Sequence, residues 1–297
     1  MSRGLDGESN GNRASSASGR GKPKVLVADD YDAMLFDMDG VITRSAVSHG
    51  SLWKVVMDDF LEQFSERNNI PFRAFDIELD YHNFMDGKPR YDGVCNFLVS
   101  RGIALPFGEP SDGAHTDTCC GLGNRKNIQF KEHLEAHGVE LFDSTVDMIH
   151  RFRAGGKRVA VVSASKNCEM VLRKADLLDL FDVMVSGREA AAMSLAGKPA
   201  PDTYQKAAEL LDVEIARSVV FEDSVTGVQA GKSAGAGCIV GIDRAADAAA
   251  LTWYGADVVV RDLSELFLDW PDSPAPSHDD PRVEPSAARP VTPDHRR

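Results

Sequence analysis

The chain has 297 residues, 43% of them hydrophobic and 27% charged, and its 46 acidic against 33 basic side chains leave a formal net charge of −13. That balance excludes a binder of the nucleic-acid backbone, which carries a basic face, and the longest apolar runs fall far short of the ~20 residues of a membrane span. A small anion stays compatible with it wherever cations cluster locally.

Residues 1–28 are rich in Gly, Ser and Arg and nearly free of large apolar side chains, which predicts a disordered tail. They lack the apolar stretch of a secretory signal, so the cytoplasm is the expected compartment. The five cysteines, Cys95, Cys119, Cys120, Cys168 and Cys238, form no Cys-x-x-Cys pair and no zinc-like spacing with histidine. They are expected to be reduced thiols.

The first β-rich run, Ala33–Phe36, leads into Asp37-Met38-Asp39-Gly40. A strand has a side-chain period of two, so Asp37 and Asp39 leave its carboxyl end on the same side, and Gly40 permits a sharp turn. Two acids crowded at a strand mouth repel each other unless a divalent cation neutralises them. Such a cation leaves one carboxylate free to attack and the other to move protons.

Residues 45–141 contain no comparable β-run. They read as helices, His49–Phe64, Asp92–Ser100 and Asn124–Ala136, joined by loops carrying Pro71, Gly87, Pro89 and Pro106. This is expected to be a helical insertion lying over the strand ends as a cap.

From residue 142 to 270 apolar runs alternate with helical stretches. The runs are Val159–Val162, Val183–Val185, Ser218–Phe221, Cys238–Val240 and Asp257–Val260, and the helices include Ser144–Arg153, Glu169–Leu177, Asp202–Leu211 and Ser224–Ala234. With residues 29–44 they predict an α/β core of the doubly wound, parallel kind, which binds ligands at the carboxyl ends of its strands. Residues 271–297, Pro-rich and charged, are expected to be a second disordered tail.

Three more segments stand at such ends. Ser163-Ala164-Ser165-Lys166-Asn167 places hydroxyls and backbone N–H groups where they can hold phosphate oxygens. Gly197-Lys198-Pro199 holds a lysine in a stiff loop. Glu222-Asp223 offers carboxylates to a hard cation such as Mg²⁺. Taken singly, each is also an ordinary helix cap or a solvated loop charge. Nucleophile, hydroxyl, lysine and metal acids in that order, each at a predicted strand end, fit those readings badly.

On Phe36–Gly40, Val162–Ser165, Lys198 and Glu222-Asp223, the chain resembles the haloacid dehalogenase superfamily of phosphotransferases across roughly residues 30–265. The resemblance implies a Rossmann-like core with a mobile cap, a phosphoaspartate on Asp37, acid–base work by Asp39, and catalytic roles for Ser163 and Lys198. It also implies one Mg²⁺ held by Asp37, Asp39, Glu222 and Asp223.

Phe36–Thr43, Ser163–Asn167 and Lys198–Asp202 are similar to the β-phosphoglucomutase family within it. That similarity implies substrate contacts from His49, Trp53, Arg90, Lys126, Ser165, Lys166 and Asn167. It implies a small phosphorylated sugar as partner and glucose 1,6-bisphosphate as priming intermediate; the chain is expected to be a monomer. Two features depart from that family: Arg44 replaces an acid, and the cap carries extra length near Phe107–Thr118. The alternative is a sugar-phosphate phosphatase, a hydrolase sharing the first half-reaction. A catalytically inert sugar-phosphate binder is disfavoured by the intact acids and Lys198.

Overall fold

The computed structural model describes residues 24–269. The chain runs through β1 (Lys24–Val27), β2 (Ala33–Phe36), α1 (Ser45–Asn68), a π-helical stretch (Ile77–Met85), α2 (Arg90–Ser100), α3 (Cys119–His137), α4 (Asp143–Ala154) and β3 (Arg158–Val162). It continues through α5 (Cys168–Lys174), β4 (Val183–Val185), α6 (Gly187–Ala192), α7 (Asp202–Leu210), β5 (Ser218–Glu222) and α8 (Val225–Ala234). β6 (Cys238–Ile242), α9 (Ala248–Tyr254), β7 (Val258–Val260) and β8 (Leu266–Asp269) follow.

Six strands form one parallel sheet in the order β4-β3-β2-β5-β6-β7. All of β2 is buried, and its residues alternate between two apolar layers. Met34 and Phe36 pack with Phe152 of α4 and Val171 of α5, whereas Ala33 and Leu35 pack with Tyr204 of α7 and Val228 of α8. Cover on both faces explains why these strands read as continuous apolar runs. The doubly wound parallel core expected from the sequence is the fold observed.

Register sets the level of the site. Phe36 pairs with Val161 on β3 and with Phe221 on β5, and the Phe36 and Phe221 rings stack at 4.4 Å. The next residues along these strands therefore emerge together at the carboxyl edge. β2 is also where the connections diverge, to β3 on one side and β5 on the other, which is the switch point at which such sheets bind ligands.

α1, the π-helical stretch, α2 and α3 pack around their own core, which includes Trp53, Val56, Met57, Phe60, Phe97 and Leu122. The two chain segments joining this cap to the sheet are tied to each other. Arg44 N donates to Glu140 O at 2.9 Å, and Phe142 N to Ile42 O at 2.9 Å. The guanidinium groups of Arg44 and Arg244 lie 4.2 and 3.5 Å from the Phe142 ring centroid. Among the described residues, no helix is long and apolar enough to cross a membrane.

Two expectations need correction. Residues 24–28 do not belong to a tail: β1 pairs in parallel with β8, Lys24 opposite Leu266 and Val27 opposite Asp269, and Leu26 is buried there. Val25, Leu26 and Val27 are strand-like, but the run is only four residues long and its partner lies at the far end of the domain. The expected disorder of the remaining tail residues falls outside the described range. The cysteines also are not all thiols, because α2 packs on α3 and brings Cys95 and Cys119 into a disulfide with Cα atoms 5.6 Å apart. Cys120, Cys168 and Cys238 are free and buried.

Candidate active site

Asp37 follows β2 directly, and its backbone N donates to Phe221 O at 3.0 Å, continuing the ladder for one residue. Lys198, in the loop before α7, is 5% exposed and reaches three acceptors. Its Nζ lies 2.5 Å from Asp37 Oδ1, 2.5 Å from Glu222 Oε1 and 3.2 Å from Val162 O. Glu222, fully buried at the end of β5, also accepts from Tyr204 OH at 2.7 Å and from Ser224 Oγ at 3.1 Å. With Ser224 N donating at 3.3 Å, four donors hold it behind the site.

Asp223 comes next, facing Gly40. That glycine has φ +88°, and a Cβ there would stand 1.6 Å from Asp223 Oδ2. Both the left-handed turn and the close approach require glycine. Asp37, Glu222 and Asp223 each offer an oxygen, all within 4.8 Å of one another. Burial pushes the Asp37 carboxyl well above its ordinary value; Lys198 opposes that, and the Glu222 charge adds to it. Burial raises Asp223 in the same way, followed by the charges of Asp86 and Asp37. Three carboxylates against one ammonium are the donor set of a hard divalent cation, so Mg²⁺ fits these residues.

Asp39 differs from the sequence-based expectation. Its carboxylate is not among the three grouped oxygens but is held by partners of its own. Oδ1 accepts from the Ser45 hydroxyl and lies 3.5 Å from Thr43 Oγ1. His49 Nε2 stands 3.3 Å away, close but poorly aligned for a hydrogen bond. Of the four expected metal ligands, Asp37, Glu222 and Asp223 bring carboxylate oxygens together, and the Asp39 carboxylate is not in that group. The reason is local: the turn at Gly40 and the start of α1 bring hydroxyls and a ring to Asp39 that no strand pattern announces. Burial pushes Asp39 up, but the facing His49 and Ser45 outweigh it and leave its carboxyl below the ordinary range.

Behind Asp39, His49 Nδ1 meets the ammonium of Lys126, and the His49 ring stacks on Phe130 at 4.6 Å. Burial and the Lys126 charge lower His49 from its ordinary value. Burial, with Arg90 nearby, draws the Lys126 ammonium down to about 7. It rests 5.5 Å from the Trp53 ring centroid and 4.8 Å from that of Phe130.

A second polar group joins cap to core. Asn127 Oδ1 accepts from Arg90 on the cap and from Asn167 Nδ2 on the core, both at 2.8 Å. In the loop after β3, Ser165 N donates to Ser163 Oγ at 3.0 Å, and Asn167 N to Ser165 Oγ at 3.2 Å. One cavity of about 560 Å³ is lined by every sequence-predicted site residue except Glu222, which stands buried behind it.

Sequence reasoning missed Tyr204, Ser45, Tyr91 and the bridging role of Asn127. Each acts through a partner remote in sequence or through a cap turn, and neither leaves a local signature.

The model of the haloacid dehalogenase-like hydrolase family matches residues 31–235. The chain is 44% identical over 238 residues to a β-phosphoglucomutase of Mycobacterium bovis, covering 79% of this chain and 91% of that protein. It is 27% identical to a phosphorylated carbohydrates phosphatase of Thermotoga maritima, over 77% of this chain and 94% of that one. In fold it is similar to the crystal structure of CbbY from Rhodobacter sphaeroides in complex with xylulose-(1,5)bisphosphate, with a TM-score of 0.60 and 23% identity, covering 80% and 97% of the two chains. With the ordered motifs carried on a parallel sheet and a family match across most of the chain, the protein belongs to the haloacid dehalogenase-like hydrolase family.

Proposed function

We propose that this protein is a Mg²⁺-dependent phosphotransferase working through a phosphoaspartate on Asp37, and that its reaction interconverts β-glucose 1-phosphate and glucose 6-phosphate. The observation that carries this reading is that one cavity is lined by two groups of side chains able to hold an anion. Ser163 and Lys198 flank Asp37, while Arg90, Lys166 and Asn167 line the same cavity. A phosphatase acting on one phosphate has no need of the second set. Similarity to a β-phosphoglucomutase at 44% identity supports the same choice.

The roles follow from position. Asp37 attacks phosphorus, and the bond from phosphorus to the sugar oxygen breaks. Lys198 and the Ser163 hydroxyl sit where phosphoryl oxygens gather charge. Asp39 gives a proton to the departing oxygen and takes one from the hydroxyl that later accepts the phosphoryl group. Mg²⁺ held by Asp37, Glu222 and Asp223 would supply fixed positive charge against those oxygens and offset repulsion among the acids. The phosphoryl group on Asp37 passes to the free hydroxyl of the sugar monophosphate, the aspartyl P–O bond breaks, and the glucose 1,6-bisphosphate so formed turns round in the cavity, with Arg90, Lys166 and Asn167 holding whichever phosphate is not reacting. His49 and Lys126 contact the sugar from the cap side.

A second reading keeps the first half-reaction and lets water take the phosphoryl group from Asp37. Similarity to the Thermotoga maritima phosphatase supports it. The deciding experiment incubates the full chain with Mg²⁺ and β-glucose 1-phosphate, primed with glucose 1,6-bisphosphate. Glucose 6-phosphate without matching free phosphate is expected. Stoichiometric free phosphate would make the protein a phosphatase.

A further inference from the structure

Tyr91, the second residue of α2, lies between the extra cap loop and the cavity. The Lys166 ammonium stands 5.2 Å from its ring centroid, within cation–π range. Tyr91 and Lys166 line the cavity beside Arg90 and Asn167. On its other side the ring lies against α3. A Cβ on Gly123 would stand 2.7 Å from Tyr91 Cδ1, so only glycine admits the ring there.

The hydroxyl is anchored as well. It donates to Asn124 Oδ1 at 2.9 Å, and Asn124 Nδ2 donates onward to Pro110 O at 3.1 Å and Asp112 O at 2.8 Å. Phe107 meets the Tyr91 ring edge-on, with centroids 6.3 Å apart. The added length near Phe107–Thr118 is thereby connected to the cavity wall through Tyr91.

We propose that Tyr91 is a positioning residue whose ring seats the Lys166 ammonium for the substrate phosphate that is not reacting, and that the Phe107–Thr118 loop holds the ring in place. The proposal rests on the reading of Arg90, Lys166 and Asn167 as the second anion site. A lysine loses much rotamer freedom when it binds an anion. A ring that already orders the stem removes part of that cost from binding. Tyr91 belongs to the cap and Lys166 to the core, so the seat forms only when the cap lies over the core. It thus couples cap position to recognition of a doubly phosphorylated sugar.

The test is calorimetric titration of glucose 1,6-bisphosphate, with Mg²⁺, into the full chain carrying Asp37→Asn so that the ligand is not consumed. In that background Tyr91→Leu is expected to raise Kd about three- to thirty-fold. Tyr91→Phe, which keeps the ring, is expected to recover most of the affinity. The Leu effect is expected to disappear when Lys166→Met is also present. An unchanged Kd in Tyr91→Leu overturns the proposal while leaving the second anion site standing. A loss that persists in full beside Lys166→Met marks a packing role and overturns it too. No binding by the Asp37→Asn parent overturns the bisphosphate reading itself, and this proposal with it.

Discussion

Lys198 and Asp37 stand 161 residues apart in sequence, yet Nζ and Oδ1 meet at 2.5 Å, buried, with Glu222 Oε1 equally close to the same ammonium. The lysine is the counter-charge that allows two carboxylates to share this level of the sheet. Lys198→Met would leave both acids without it. Breaking a buried pair from one side costs about 3–5 kcal/mol. A clear drop in melting temperature is expected, together with loss of turnover by orders of magnitude. Near-normal melting and turnover would show that the acids do not depend on this ammonium.

Asp37→Asn is expected to behave differently. Asn keeps the shape of the side chain and leaves the Lys198 ammonium paired with Glu222, so a smaller loss of stability is expected than for Lys198→Met. Turnover falls by orders of magnitude because no nucleophile remains. Circular dichroism melts and steady-state rates on the same preparation check both halves. A variant that keeps its turnover would rule out a phosphoaspartate.

Asp39 sits apart from the acid cluster, between Ser45 and His49. As acid and base it matters only where an oxygen needs a proton. Asp39→Ala is therefore expected to slow transfer to and from a sugar oxygen far more than release of an activated aryl phosphate, whose leaving group departs as a stable anion. Rates with the two substrates decide it, and equal losses would remove Asp39 from this role.

The Arg90 guanidinium donates to Asn127, which also binds Asn167 of the core. A charge-assisted contact to phosphate is worth about 1.5–3 kcal/mol, roughly ten- to a hundred-fold. Arg90→Ala is expected to lower bisphosphate-dependent isomerisation by that factor and to lower acetyl phosphate hydrolysis much less. Parallel losses in the two assays would favour the phosphatase reading.

Lys126 gives a pH dependence with a definite sign. Burial and the Arg90 charge draw its ammonium from 10.5 to about 7. Between those values the unfolded chain holds a proton that the folded chain has lost, so stability rises with pH. The slope contributed is at most about 1.4 kcal/mol per pH unit. Below the folded value both states are protonated and the full cost of burying the charge is present. Lys126→Met removes this dependence. The melting temperature of the natural chain minus that of the variant is expected to climb from about pH 7 to about pH 9. A flat difference would mean that Lys126 keeps its ordinary pKa.

Much of the core was legible before any coordinates. The apolar runs Ala33–Phe36 and Val183–Val185 coincide with observed strands, and Val159–Val162, Ser218–Phe221 and Cys238–Val240 do so within two residues. Strands covered on both faces must be apolar throughout, and helices between them must repeat every three to four residues, so both patterns are local. The polar residues ending those strands were legible for the same reason: Asp37, Ser163 and Glu222 interrupt apolar runs at the carboxyl edge. Lys198, in a proline-stiffened loop, was found by its order among them.

Only the tertiary structure decided which groups those side chains meet. β1 finds β8, Cys95 finds Cys119, and Tyr204 finds Glu222, each through packing of elements remote in sequence. Asp39 meets Ser45 and His49 because the cap begins one turn after Gly40. Tyr91 reaches Lys166 because Gly123 leaves α3 without a side chain beneath the ring. Periodicity records which face of an element is buried, since burial selects residue type along the chain. It does not record what lies across that face, since that depends on how separate elements settle against one another in three dimensions.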